Sequence, residues 1–237
     1  MRGGEVAHTS AINEATFRAV FSEQLEKGND ILYICFSSGL SGTIDAARNV
    51  ADELMAEHPE RRIRVVDSLC ASTGQGLLVD LCRRKRDEGC SLDEVGDFAE
   101  EIRLKVIHWF TVEDLIYLKR GGRIGGAAAL FGSAINIKPV LYTANDGTLT
   151  SASKTRGRRK SIGALANMFA ETYVADYPAP IYIGHGDCLE DAEYLAKLLK
   201  ERYGAEVDAF YNIGPTIGAH SGPGTLALFY IGTERFG

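Results

Sequence analysis

The chain has 237 residues, enough for one large domain or two modest ones. Apolar residues make up 45% and charged residues 24%, values that exclude disorder, collagen or coiled coil for the whole chain. Twenty-six Lys+Arg against 32 Asp+Glu give a net charge of −6, a poor basis for holding nucleic acid on a broad basic face.

No apolar run approaches the roughly 20 residues that span a bilayer. The opening MRGGEVAHTS lacks the apolar stretch of a secretory signal. Five cysteines, at 35, 70, 82, 90 and 188, include no C-x-x-C pair. They read as a reducing cytoplasm without disulfides or a zinc site. The expected setting is cytoplasmic, with no stable membrane insertion and no nucleic-acid partner.

Residues 13–28 carry helical apolar spacing, with Asn13 or Thr16 to cap the start and Gly28 to end it. DILYICFSS (30–38) reads as a buried strand and residues 43–58 as a second helix. Residues 62–67 form another strand. Residues 73–89 and 91–104 are helical, with Ser91 and Glu94 in capping-box spacing. Strands alternating with helices of this length indicate an α/β domain with a parallel sheet.

The texture changes near residue 105. Residues 105–112 read as a strand, and 113–122 as a short helix ending at glycines. Asp146-Gly147 between two extended runs signals a hairpin. Residues 157–174 are helical, 180–185 a strand and 187–203 a helix. Residues 207–232 read as strands broken by Gly and Pro turns. The fold class is therefore α/β in two domains. Residues 1–105 form a parallel-sheet domain and 106–237 a mixed α+β domain. An α/β domain usually opens on a strand, so the first βα unit is expected to be missing from this sequence.

Three hydroxyl-rich turns stand out: His8-Thr9-Ser10, Ser37-Ser38-Gly39-Leu40-Ser41-Gly42-Thr43, and Asp67-Ser68 with Ser72-Thr73-Gly74-Gln75-Gly76. At the carboxyl ends of parallel strands such turns meet ligands, and the following helices offer N–H groups to an anion. Capping or turn duty is the preferred reading of Ser41, Thr43, Ser72 and Thr73. Ligand contact is the preferred reading of Thr9, Ser37 and Ser38. His220, in Gly218–Gly224, is an imidazole in a Gly/Pro turn, able to point into a cleft and titrate near neutrality. His185 is a weaker candidate of the same kind. The five histidines are too scattered for a metal site.

Two basic runs carry no nucleotide signature. Lys119–Gly126 lacks the G-x-x-x-x-G-K-[ST] pattern and follows a helix. Lys154–Lys160 sets five cations at a helix start, where the dipole disfavours them. That points to docking or phosphate contact by Arg156, Arg158 and Lys160.

Taken together, Thr9-Ser10, SSGLSGT (37–43), DS (67–68), STGQG (72–76), DLIYLKRGGRI (114–124), NIKP (136–139), TRGRRK (155–160) and IGPTIGAHSGPG (213–224) resemble the DegV family of bacterial fatty-acid-binding proteins. They run in family order along almost the whole chain. The resemblance implies a long-chain fatty acid buried between two domains, its carboxylate held by Thr9, Ser38 with Ser37, and His220. It implies a carrier that presents the acid to a separate fatty acid kinase for acyl-phosphate formation in phospholipid synthesis. No cofactor is implied beyond the bound lipid. Arg156, Arg158 and Lys160 become kinase or phosphate contacts. The family's proline shortly after T-S is replaced here by Ala11-Ile12-Asn13.

Burying an alkyl chain gains about 0.8 kcal/mol per methylene, so the head group needs satisfying more than attracting. Neutral hydroxyls and one imidazole do that. The expected apolar lining is Leu40, Ile44, Phe110, Leu130, Phe131, Ile135 and Leu226. The rival is a serine hydrolase built on Ser38 or Ser68 with His220, against which stands the lack of a G-x-S-x-G elbow.

Overall fold

The computed structural model describes residues 1–125, 128 and 136–235. After a turn at residues 1–4, residues 5–13 lead without regular structure along the surface to the first helix, α1 (Glu14–Glu26). Asn13 Oδ1 accepts from the Thr16 backbone N–H at 2.9 Å and caps that helix. Strands β1 (Ile31–Cys35) and β2 (Ile63–Asp67) lie parallel, joined by α2 (Thr43–Glu57). Phe17, Phe21 and Leu25 of α1 pack on Val50, Ala51 and Leu54 of α2 in a separate small core.

Helices α3 (Ser72–Asp87) and α4 (Leu92–Ile102) follow, the second started by the Ser91–Glu94 capping box. Thr43 and Thr73 do not cap. The cap positions fall at Gly42 and Ala71, neither with a side-chain hydrogen bond.

The rest of the chain builds a six-stranded sheet. It contains β3 (Val106–Thr111), β4 (Ile137–Thr143), β5 (Leu149–Arg156), β6 (Tyr182–His185), β7 (Ala209–Asn212) and β8 (Leu226–Ile231), in the order β5-β4-β3-β8-β6-β7. Only the β6–β7 pair is parallel. Helices α5 (Ile116–Arg120), α6 (Arg158–Thr172) and α7 (Leu189–Tyr203) connect these strands.

Residues 215–221 correct the expectation of strands throughout 207–232: they form α8 (Pro215–Ser221). Pro215 sits at the first turn, where its fixed φ suits a helix and its missing N–H costs nothing. Gly222, at φ +81, stops it.

Alternation along β3 and β8 divides the core. Ile107, Trp109, Leu226, Leu228 and Tyr230 face α6 and α7. Val106, Phe110, Ala227, Phe229 and Ile231 face α3 and α4. Arg235 locks the second face and is 5% exposed. Its guanidinium donates to Leu69 O (2.6 Å), Arg103 O (2.8 Å), Val106 O (3.0 Å) and Ala144 O (3.2 Å). It also meets Cys70 Sγ at 3.0 Å. Burial pushes the Cys70 thiol up to about 11 despite that cation.

Candidate functional site

A cavity of about 540 Å³ lies between the parallel sheet and the second face of the six-stranded sheet. That is the size of a small-molecule chamber. Phe110, Ala227 and Phe229 floor it, and Tyr33, Phe36 and Leu40 line it from the parallel-sheet side. Residues 9–12 close one wall. Ile213, Ile217 and His220, at and before α8, close another. Most of this surface is apolar.

At its mouth Thr9 Oγ1 and His220 Nε2 stand 2.7 Å apart. Thr9 belongs to the surface-running segment 1–13, and His220 to the last turn of α8, 211 positions away. The segment is tied down twice more. Arg2 donates to the Asp187 carboxylate (2.7 Å) and to Asp187 O (2.8 Å). Burial, then the Arg123 cation, lowers the His220 pKa below the ordinary histidine value. In the tautomer that carries its proton on Nε2 the ring donates to Thr9, which leaves the Thr9 O–H to donate to an anion.

Gly121 makes this possible. A Cβ there would lie 2.2 Å from His220 Nδ1. Arg123 completes the mouth: its Nε donates to Leu40 O (3.0 Å) and its Nη1 to Gly121 O (2.7 Å). Thr9, Arg123 and His220 also line an outer pocket of about 530 Å³, so they form the partition between inside and outside.

The other hydroxyls sit elsewhere. Ser37 is fully buried. Its Oγ donates to Gly147 O (2.8 Å) and accepts from the Gly39 N–H (3.2 Å). A Cβ on Gly39 would lie 2.7 Å from Asp146 O, so this turn is docked hard on the β4–β5 hairpin. Ser37 is thus a joint between two parts of the fold. Ser38 is exposed, gives its backbone N–H to Asp67 Oδ1 (3.2 Å) and does not line the cavity. Ser41 and Thr43, read as turn residues, do line it, their hydroxyls 2.7 Å apart.

Of the expected apolar lining, Leu40 and Phe110 are in place. Ile44 and Leu226 are buried and do not line the cavity; Leu226 belongs to the core under α6 and α7. Leu130, Phe131 and Ile135 lie outside the described residues.

The basic run splits. Arg158 is turned inward onto Asp191 Oδ2 (2.9 Å) and Gly224 O (2.6 Å), so its charge is already answered within the fold. Arg156 and Lys160 are exposed.

The family comparison agrees with this geometry. The model for the DegV family, described as an uncharacterised protein family, matches residues 1–233. The chain belongs to the DegV family. A DegV domain-containing protein of Clostridium perfringens is 40% identical over 235 residues, covering 99% of this chain and 81% of that protein. A fatty-acid-binding DegV family protein of Thermus thermophilus is 32% identical and superposes with a TM-score of 0.85, covering 98% of this chain and 81% of its own. A fatty-acid-binding DegV protein of Streptococcus agalactiae is 28% identical with a TM-score of 0.84, covering 98% and 80%.

In this DegV chain the hydrolase pairing is not assembled. His220 spends Nε2 on Thr9, and its buried Nδ1 has no hydrogen-bond partner among the described residues. Ser68 bonds within its own turn, at the Cys70 N–H. Among the described residues no three His, Cys, Asp or Glu side chains are placed to hold a metal ion. No described helix is long and apolar enough to cross a membrane.

Proposed function

We propose that this chain binds one long-chain fatty acid in the cavity and presents its carboxylate at the mouth to a separate kinase, which forms the acyl phosphate. The observation that carries the reading is the Thr9–His220 pair, 2.7 Å apart, at the mouth of an apolar chamber. A carboxylate there accepts a hydrogen bond from the Thr9 hydroxyl, with the Arg123 cation at the same mouth. The alkyl tail supplies the affinity, at about 0.8 kcal/mol per buried methylene before ordering costs. Fatty-acid binding by the Thermus and Streptococcus relatives supports the same reading.

The head-group set is Thr9 and His220, with Ser37 and Ser38 positioning the adjoining turn. Arg156 and Lys160 are the cations free to meet the kinase or a phosphate. The carrier is cytoplasmic, serves phospholipid synthesis, and divides at residues 105/106 with the ligand between the two domains.

Mass spectrometry of an organic extract of the purified chain tests the binding step, with one equivalent of long-chain acid expected. Adding ATP and the catalytic subunit of a bacterial fatty acid kinase tests the rest. Phosphate should appear on the acyl carboxylate only when the chain is present. A well-folded sample that neither carries nor takes up a fatty acid sinks the reading.

A further inference from the structure

The strand register sets a second polar zone inside the cavity, away from His220. Along β8, Thr225 precedes the strand at the α8 end, and its hydroxyl donates to Gly222 O at 2.7 Å. Phe229 lies four residues further, about 13 Å at the usual rise of about 3.3 Å per residue. His108 pairs with Phe229. The Trp109–Tyr142 register, carried one step on, sets Thr143 beside His108 on the same face. The Ala71 N–H donates to His108 Nε2 at 3.2 Å, which brings the start of α3, with Ser72 and Gln75, onto the same zone.

His108 is fully engaged, since its Nδ1 also meets Val106 O at 2.9 Å. Its neighbours are not. Thr143 is 2% exposed and lines the cavity, and its hydroxyl meets no partner among the described residues. Gln75 gives Nε2 to Ile34 O and leaves Oε1 uncommitted. Ser72 also lines the cavity with its hydroxyl uncommitted. An unsubstituted alkyl chain laid here would strip water from three hydrogen-bonding groups and return nothing.

We propose that the cavity is built for a fatty acid bearing a hydroxyl near mid-chain, held by Thr143 with Gln75 and Ser72; this rests on the fatty-acid reading above. A ligand hydroxyl accepts from Thr143 while donating to Gln75 Oε1, which satisfies both at once. A site built to bond a hydroxyl discriminates against the analogue lacking it, because its own groups are then left unpaired.

The test compares stearic acid with a hydroxystearic acid carrying its hydroxyl at mid-chain. Calorimetry on the delipidated full chain measures both. The hydroxylated acid should bind about five- to ten-fold tighter. Thr143→Val should erase that preference while leaving stearic acid bound as well or better. The thermal midpoint of the ligand-free variant should not fall, since no bond is lost. Ser72→Ala gives a second reading from the other side of the zone, with a smaller loss of preference. Equal affinity of the two acids in the wild type, or a preference that survives Thr143→Val, overturns this inference and leaves the fatty-acid reading standing. Failure of both acids to bind overturns both.

Discussion

The two faces of the six-stranded sheet solve different problems with the same strands. The face under α6 and α7 is closed, with Trp109, Leu228 and Tyr230 no more than 1% exposed. The face toward α3 and β1 gives up close packing for a chamber, and admits His108, Thr143 and Thr225 among its apolar side chains. Since the strands alternate, neighbouring residues carry opposite duties: Trp109 holds the fold and Phe110 shapes the cavity. A close-packed interior has few voids, so the chamber marks where close packing was given up.

The largest effects should come from the closed face. Trp109→Ala is expected to cost about 3–5 kcal/mol in urea unfolding. Phe110→Ala should cost only about 2 kcal/mol in the ligand-free protein, because its ring already lacks neighbours on the cavity side. Equal costs would mean the chamber collapses when empty.

Next comes the mouth. Gly121→Ala pushes His220 off its station and should weaken fatty-acid binding at least about ten-fold, with little change in unfolding midpoint. Thr9→Val and His220→Ala should each weaken it by about five- to ten-fold, the worth of one hydrogen bond. Ser38→Ala should leave retention unchanged. A large loss there would place the carboxylate on the S-S-G turn instead.

The smallest effect is on pH. Burial, with the Arg235 cation, holds His108 well below the ordinary histidine value. The unfolded chain protonates this residue near pH 6.5, where the folded chain does not. Its contribution is therefore fully present above about pH 6.5 and lost as pH falls toward the folded value, by at most about 1.4 kcal/mol per unit. His108→Gln should flatten that slope between about pH 6.5 and 5.5 in urea titrations, although the variant is less stable overall.

Most of the elements were legible from periodicity and punctuation, because Asn13, Ser91 and Asp146-Gly147 act locally. Helix α8 was not. Its seven residues are too short for a periodic signal, and its start depends on Pro215 being read as a first-turn residue. The pairing of Thr9 with His220 spans 211 positions, and no local rule brings them together. They were found by residue type and family resemblance. The Ser37–Ser38 turn shows a related limit. A Ser-Ser-Gly turn looks alike whether it grips a ligand or, as here, a hairpin 110 positions away. Gly121 and Arg123 carried a signal, the GGRIGG run, whose meaning emerged only once His220 was beside it.

Arg235 stitches together four carbonyls far apart in sequence, those of Leu69, Arg103, Val106 and Ala144, beside the chamber residues Ala71 and Thr143. The cavity wall is therefore wired to a single side chain outside it. Arg235→Ala would release those carbonyls together and loosen the chamber wall at several points at once.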